Sequence, residues 1–83
     1  MIEVGRIGGT TIEAILSSAD PDTHLYDQPH DEWVVLLEGT AELDVDGERM
    51  SLVGGDWLLL PARTPHRLVA TSAGARWLAV HVR

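Results

Sequence analysis

Residues 26–39 read YDQPHDEWVVLLEG. The run WVVLL is short and rich in β-branched residues, with a proline before it and a glycine after it, which suits a strand better than a helix. Two chemically active side chains stand at its entrance. His30 and Glu32 are two positions apart, so in extended chain both point to one face, about 6.5 Å apart at the Cα level and able to reach one ion. An imidazole and a carboxylate at the head of an apolar strand raise the question of what they hold.

The same short-strand pattern recurs on both sides, with turn residues every 8 to 12 positions or so and no helical stripe, as in a sandwich or barrel. The chain is expected to be all-β. IEVGRI and TTIEAIL flank Gly8 and Gly9, a hairpin turn, and SSADPD is a loop. After EWVVLL and the tight EGT comes AELDV, where Ala41, Leu43 and Val45 alternate with Glu42, Asp44 and Asp46, giving one wet face. Asp46 and Gly47 turn the chain into ERMSL, VGGD turns it again, and WLLLPA ends at a proline. HRLVAT and RWLAVHV close the chain around SAG. With no repeat, low-complexity tract or linker, residues 1–83 read as one domain.

Eighty-three residues bury only roughly 60–65% of the surface of the unfolded chain, so a second subunit is an advantage. A homodimer is expected, since the exposed tryptophans and WLLL cannot all fit one small interior. At 45% hydrophobic and 23% charged the chain is not disordered, and no apolar run approaches the roughly 18 residues of a membrane span. MIEVGRIGG lacks the charged and apolar regions of an export signal, and the chain has no cysteine, so a cytoplasmic location is expected. The net charge of -7 argues against binding to nucleic acid or an anionic membrane. Acids crowd residues 20–48, where there is no arginine, whereas Arg49, Arg63, Arg67, Arg76 and Arg83 follow against only Asp56. A solvated acidic edge accounts for this, and charge complementarity between subunits is the alternative.

With these motifs in place the chain resembles the cupins, small β-barrels of the conserved cupin 2 type with a jelly-roll (double-stranded β-helix) fold. Their first motif has two histidines one apart, a glutamate three or four residues later and a glycine after six more. Glu32 and Gly39 match its second half, within about residues 26–39. The second motif has glycine, proline, glycine and histidine followed by an asparagine. Gly55, Pro61 and His66 match it within about residues 55–70. Tyr26 and Gln28 occupy the two histidine positions, Arg63 the second motif's later glycine, and Ala70 the asparagine. The family's metal set of three histidines and a glutamate is therefore incomplete. The resemblance carries over only Glu32 and His66, with Gln28 offering a carbonyl oxygen, a weaker ligand than imidazole.

Replacements come from strand geometry. If the last two strands form a hairpin around SAGA with Thr71 opposite Arg76, then His66 lies opposite His81 on one face. Glu32, His66 and His81, with His30 or Gln28 nearby, then make a two-histidine, one-carboxylate site for one divalent transition metal: iron, manganese, nickel or zinc. Its affinity falls in acid, because the ligands must lose their protons. The plain alternative for Glu32 is an ion pair with an arginine such as Arg67. His24 belongs to a loop. Tyr26, Trp57, Arg63 and Trp77 are candidate pocket residues, although the tryptophans, Trp33 included, equally suit the core or a subunit interface. No phosphate loop or nucleophile elbow is present. The resemblance implies a metal-dependent dioxygenase, isomerase, epimerase or lyase acting on a small polar molecule as the first reading; a non-catalytic ligand-binding or sensor barrel, which gains weight from the missing histidines, is the second, and a metal-free barrel with an internally hydrogen-bonded polar interior the third.

Overall fold

The computed structural model describes residues 2–17 and 25–83. The expected loop SSADPD, apart from Ser17, and His24 lie outside the described residues. The described chain is all-β. Its strands are β1 (Ile2–Ile7), β2 (Thr10–Ser17), β3 (Asp31–Glu38), β4 (Thr40–Val45), β5 (Glu48–Val53), β6 (Trp57–Leu60), β7 (His66–Thr71) and β8 (Ala75–Val82). They form two facing sheets, one of five strands in the order β1-β2-β8-β3-β6 and one of three in the order β5-β4-β7.

Turn chemistry fixes the connections. Asp46 (φ 51°) and Gly47 (φ 83°) both take left-handed backbone, the conformation a two-residue hairpin between β4 and β5 requires. Gly39 (φ 95°) makes the corner at which the chain leaves the larger sheet for the smaller one. A side chain there would meet Ser72 Oγ at 2.6 Å and the Ala75 backbone at 3.1 Å, so this corner of the first motif needs glycine.

One expectation is overturned. β7 and β8 do not form a hairpin: β7 pairs with β4, and β8 with β2 and β3, in different sheets. The Ser72 amide donates to Thr40 O at 2.9 Å and the Thr40 amide to Ser72 Oγ at 3.0 Å, which ties the end of β7 to the start of β4 before the chain crosses. The crossing is favoured because each strand has an apolar side. Side by side in one sheet, Leu68 and Trp77 would lack a covering layer; on facing sheets each helps bury the other's surroundings.

Alternation then sorts the interior. The inward positions of β3 and β8 run Glu32, Val34, Leu36 and His81, Ala79, Trp77, and β4 contributes Ala41 and Leu43 from the facing sheet. The apolar members make the core, where Leu36, Ala75 and Ala79 are fully buried. The polar members gather at one end, where Thr11, His81, Glu32 and Leu60 form a row of directly paired positions across four strands.

Candidate functional site

That row is the floor of the candidate site. Glu32 and His81 are paired Cα partners on adjacent strands, and both are 7% exposed. His66, 9% exposed, comes from the first position of β7 and reaches them from the facing sheet. His66 and His81 thus approach the same carboxylate across the barrel and not along the expected hairpin.

Glu32 lies between the two rings. Its Oε1 is 3.8 Å from His66 Nε2 and its Oε2 is 3.8 Å from His81 Nε2. Among the described residues no arginine pairs with it, and Arg67 instead lies exposed opposite Asp44 on β4. His66 Nδ1 is 3.0 Å from Thr64 O, and because a carbonyl only accepts, Nδ1 carries the proton of this hydrogen bond. A neutral His66 therefore turns the lone pair of Nε2 towards Glu32. Two acceptors facing each other in a buried site call for a cation, either a proton or a metal ion, and an imidazole anchored through its other nitrogen to a backbone carbonyl is the arrangement in which histidine binds metals.

The start of the first motif is held in place by backbone. Tyr26 and His66 exchange hydrogen bonds, Tyr26 N to His66 O at 2.8 Å and His66 N to Tyr26 O at 2.9 Å, which lays the segment along the edge of β7. The Tyr26 ring stacks on the His66 ring at 5.6 Å. The Arg63 amide donates to Gln28 O at 2.7 Å, fixing Gln28 so that its side-chain amide donates to Glu32 Oε1 at 2.6 Å. Gln28 therefore meets Glu32 as a hydrogen-bond donor. Arg63 has φ 61°, so the position that resemblance assigns to a glycine does take left-handed backbone, here borne by a side chain. Its guanidinium is exposed and 3.8 Å from Asp27.

His30 joins from the rim. Its Nε2 is 2.9 Å from His81 Nδ1, one nitrogen donating to the other. Burial, then the Arg83 guanidinium and His81, hold the His30 imidazole below its ordinary range, against the opposing pull of Glu32 and Asp31. His30 also lines an open depression of about 440 Å³ with Pro29, Asp31, Ala62, Val82 and Arg83. Of the other candidate pocket residues, Trp77 is buried in the apolar core. Trp57 is 60% exposed on the outer face of the larger sheet, tilted against Trp33 at 6.2 Å and turned away from the cluster.

Sequence reasoning missed Glu13. It lies on the inward side of β2, and its Oε2 is 3.4 Å from His81 Nε2. The signal was available: Thr11, Glu13 and Ile15 alternate with Ile12, Ala14 and Leu16, so an acid stands at an inward position of an apolar strand.

Whether these donors suit a metal ion depends on chemistry and spacing. Neutral imidazoles and carboxylates are the ligands of divalent transition metals. Bonds of about 2.1 Å put neighbouring ligand atoms roughly 3.0–3.4 Å apart. Among the described residues no three His, Asp or Glu side chains close on one ion as placed. The 3.8 Å separations exceed ligand spacing by less than about 1 Å, within reach of side-chain rotation. The donor set fits a divalent ion in kind and needs this small closure in position.

The cupin-domain family model matches residues 15–81. This chain is a cupin. Across 66 residues it is 38% identical to the quercetin 2,3-dioxygenase of Bacillus subtilis (strain 168), a match over 75% of this chain and 19% of that protein, so the chain spans about a fifth of that curated relative. Among solved structures it is similar to a candidate mannose-6-phosphate isomerase from Ralstonia eutropha JMP134, with a TM-score of 0.89 and 34% identity over 98% of this chain and 81% of the other. A cupin superfamily protein from Desulfitobacterium hafniense DCB-2 shares the fold, with a TM-score of 0.84 at 20% identity over 98% and 73% of the two chains. The two-sheet architecture is thus the cupin jelly roll. Among the described residues no helix is long and apolar enough to cross a membrane.

Proposed function

We propose that this cupin binds one divalent transition metal, of the iron, manganese, nickel or zinc class, at the polar end of its barrel and presents it to a small polar molecule. Glu32, His66 and His81 are the protein donors, and the carboxylate of Glu32 between two imidazole Nε2 atoms carries the reading. The anchoring of His66 by Thr64 O supports it. When bound, such an ion acts as a Lewis acid towards an oxygen-bearing ligand. The chain's own residues would do the rest: Gln28 orients Glu32, Tyr26 packs on His66 and shields it, and His30 links His81 to the rim, where Arg83 offers a cation to an anionic ligand group. Relatives named for a dioxygenase and an isomerase support small-molecule chemistry of that breadth. A cytoplasmic location, consistent with a chain that has no cysteine, belongs to the same reading.

The test is metal content by elemental analysis of untagged protein after reconstitution with each ion. Near-stoichiometric metal in the wild type, lost in Glu32→Ala and His66→Ala, is expected. An empty wild type, or full occupancy in both variants, overturns the assignment.

A second reading, a metal-free barrel that binds a small polar ligand, is favoured by one observation: the Gln28 amide already occupies Glu32 Oε1 at 2.6 Å. It predicts an empty wild type after reconstitution, together with a ligand-dependent rise in melting temperature across a library of small polar molecules.

A further inference from the structure

We infer that Glu13 completes the cation site as a fourth donor, a second carboxylate beside Glu32, His66 and His81, an inference that rests on the metal-binding reading above. Its Oε2 is buried and accepts no hydrogen bond, the only such side-chain atom among the described residues. A buried carboxylate oxygen without a partner is costly, so something else must repay its place in the fold. His81 Nε2 lies 3.4 Å from it, and the same nitrogen lies 3.8 Å from Glu32 Oε2. Both carboxylates thus converge on one ring nitrogen. Among the described residues neither has a lysine or arginine partner: the ion pairs of Glu13 and Glu32 are with histidine alone.

The 3.4 Å separation already matches neighbouring ligands on an ion with bonds of about 2.1 Å at a tetrahedral angle. Glu32 offers Oε2 to this group because Gln28 engages Oε1. His30 supplies the support on the far side: with His81 Nδ1–H donating to His30 Nε2 at 2.9 Å, His81 presents its Nε2 lone pair to the ion. β2 and β3 flank β8 in the sheet, so an ion here is gripped from three adjacent strands of the larger sheet, opposite His66 from β7, with its centre shifted from Tyr26 and Gln28 towards β2. The place left without imidazoles at residues 26 and 28 is thereby offset by an acid from the other side of His81.

The experiment titrates metal-free full-length protein with Co²⁺, reading its visible absorption, and with Zn²⁺ in competition. In Glu13→Gln, which keeps the shape and removes the charge, binding is expected to weaken at least about tenfold and the Co²⁺ band to move. Glu13→His, which restores a donor, is expected to recover most of the affinity with a different spectrum, and it serves as the second variant if Glu13→Gln does not fold. A wild type that binds while both folded variants show unchanged affinity and spectrum overturns the role of Glu13 and leaves the metal reading standing. A wild type that binds neither ion overturns both.

A different observation carries a second proposal. The outer face of the larger sheet carries an apolar row across four of its strands: Ile12 on β2, Val80 on β8, Trp33 on β3 and Leu59 on β6 lie on it, and Trp57 and Leu59 are each 60% exposed. Five strands about 4.8 Å apart and four to eight residues long at about 3.3 Å each span roughly 20 by up to about 23 Å, which with side-chain relief approaches the roughly 800 Å² per partner of a stable interface. We propose that a second copy of this chain covers it. On β2, β3, β6 and β8 its outward charges are confined to opposite ends of the face, Asp31 beside Val82 and Arg76 beside Leu16, and two copies related by a two-fold axis cover each other's apolar middle. Sedimentation of the wild type at micromolar concentration is expected to show a dimer, and Trp57→Glu with Leu59→Glu, at exposed positions, a folded monomer. A monomeric wild type, or a double variant that still dimerises, overturns the proposal.

Discussion

The two sheets differ in opposite ways on their two faces. The three-stranded sheet follows the usual rule: Leu43, Leu52 and Ala41 point in, while Asp44 and Glu42 point out against Arg49, Arg67 and Ser51. The five-stranded sheet has Ile12, Val80 and Trp33 outside and, at one end, Glu13, Glu32 and His81 inside. The smaller sheet behaves as a lid whose charges are solvated and whose apolar side is covered. On the larger sheet neither arrangement is stabilising for an isolated, empty barrel, since apolar area faces water and carboxylates face the interior. The difference separates what folds the chain from what we propose it binds: a cation inside and a second copy outside.

The largest expected effect checks that the covered faces dominate folding. Leu36, fully buried between the sheets, should cost about 3 kcal/mol when replaced by alanine, by loss of transfer energy and creation of a cavity. Leu59→Ala, on the outer face, should cost no more than about 0.5 kcal/mol in a monomer. If a second copy covers Leu59, its cost rises and the melting temperature of the wild type becomes concentration-dependent. Urea titration at two protein concentrations reads both. Equal costs at the two positions in a proven monomer would erase the contrast between the faces.

How much of this was legible in the sequence follows from the range of the interactions involved. Strands and turns were readable because their determinants are local: Asp46 and Gly47 announce a hairpin, and the alternation of Ala41, Leu43 and Val45 with acids announces a wet face. Glu32 and His66 were readable as a pair through the spacing of Gly39, Gly55 and Pro61 around them. The partner of β8 was not, because a strand with an apolar side fits a hairpin or a facing sheet equally well, and burial across the whole barrel decides between them. Glu13 was missed for a related reason. It is 19 residues before Glu32 and 68 before His81 in the chain, and only the β2–β8–β3 order brings the three together. Trp57 and Trp77 show the same limit: two tryptophans in similar apolar surroundings, one in the core and one on the surface, divided by strand phase alone.

Glu13 also gives a test on the stability side. If its orphaned carboxylate oxygen is retained for binding, Glu13→Gln should make the metal-free protein more stable by about 1 kcal/mol while weakening metal binding, because a neutral amide is less costly to bury. Denaturant unfolding in the presence of chelator measures the first effect. A loss of stability there would mean that Glu13 is paired in the empty barrel and that the interior of the larger sheet is less exceptional than its geometry indicates.

A slightly smaller gain is expected from Arg63→Gly. The residue takes φ 61°, where a Cβ is strained, and its 3.8 Å approach to Asp27 is exposed and worth little. Relief of strain less the added freedom of glycine in the unfolded chain should stabilise the protein by about 0.5–1 kcal/mol, read as a rise in melting temperature. Metal affinity is expected to stay at the wild-type value, since Arg63 reaches the site through its amide, which donates to Gln28 O and which glycine retains.

The smallest effect concerns acid. In the metal-free protein His30 is held below its ordinary value of 6.5, mainly by burial and then by Arg83 and His81, with Glu32 and Asp31 pulling the other way. The unfolded chain therefore takes up a proton on this ring more readily than the folded one, so stability rises with pH across this window. The contribution is fully present above the unfolded value of 6.5 and is lost as pH falls through it towards the lowered folded value. His30→Gln should flatten that part of the stability profile, leaving the profile above pH 7 unchanged, as measured by urea midpoints from about pH 8 to 5 in chelator. An unaltered slope would place the acid sensitivity of the larger sheet elsewhere, and the outward charges of the smaller sheet, solvated by design of the strand, should contribute almost none of it.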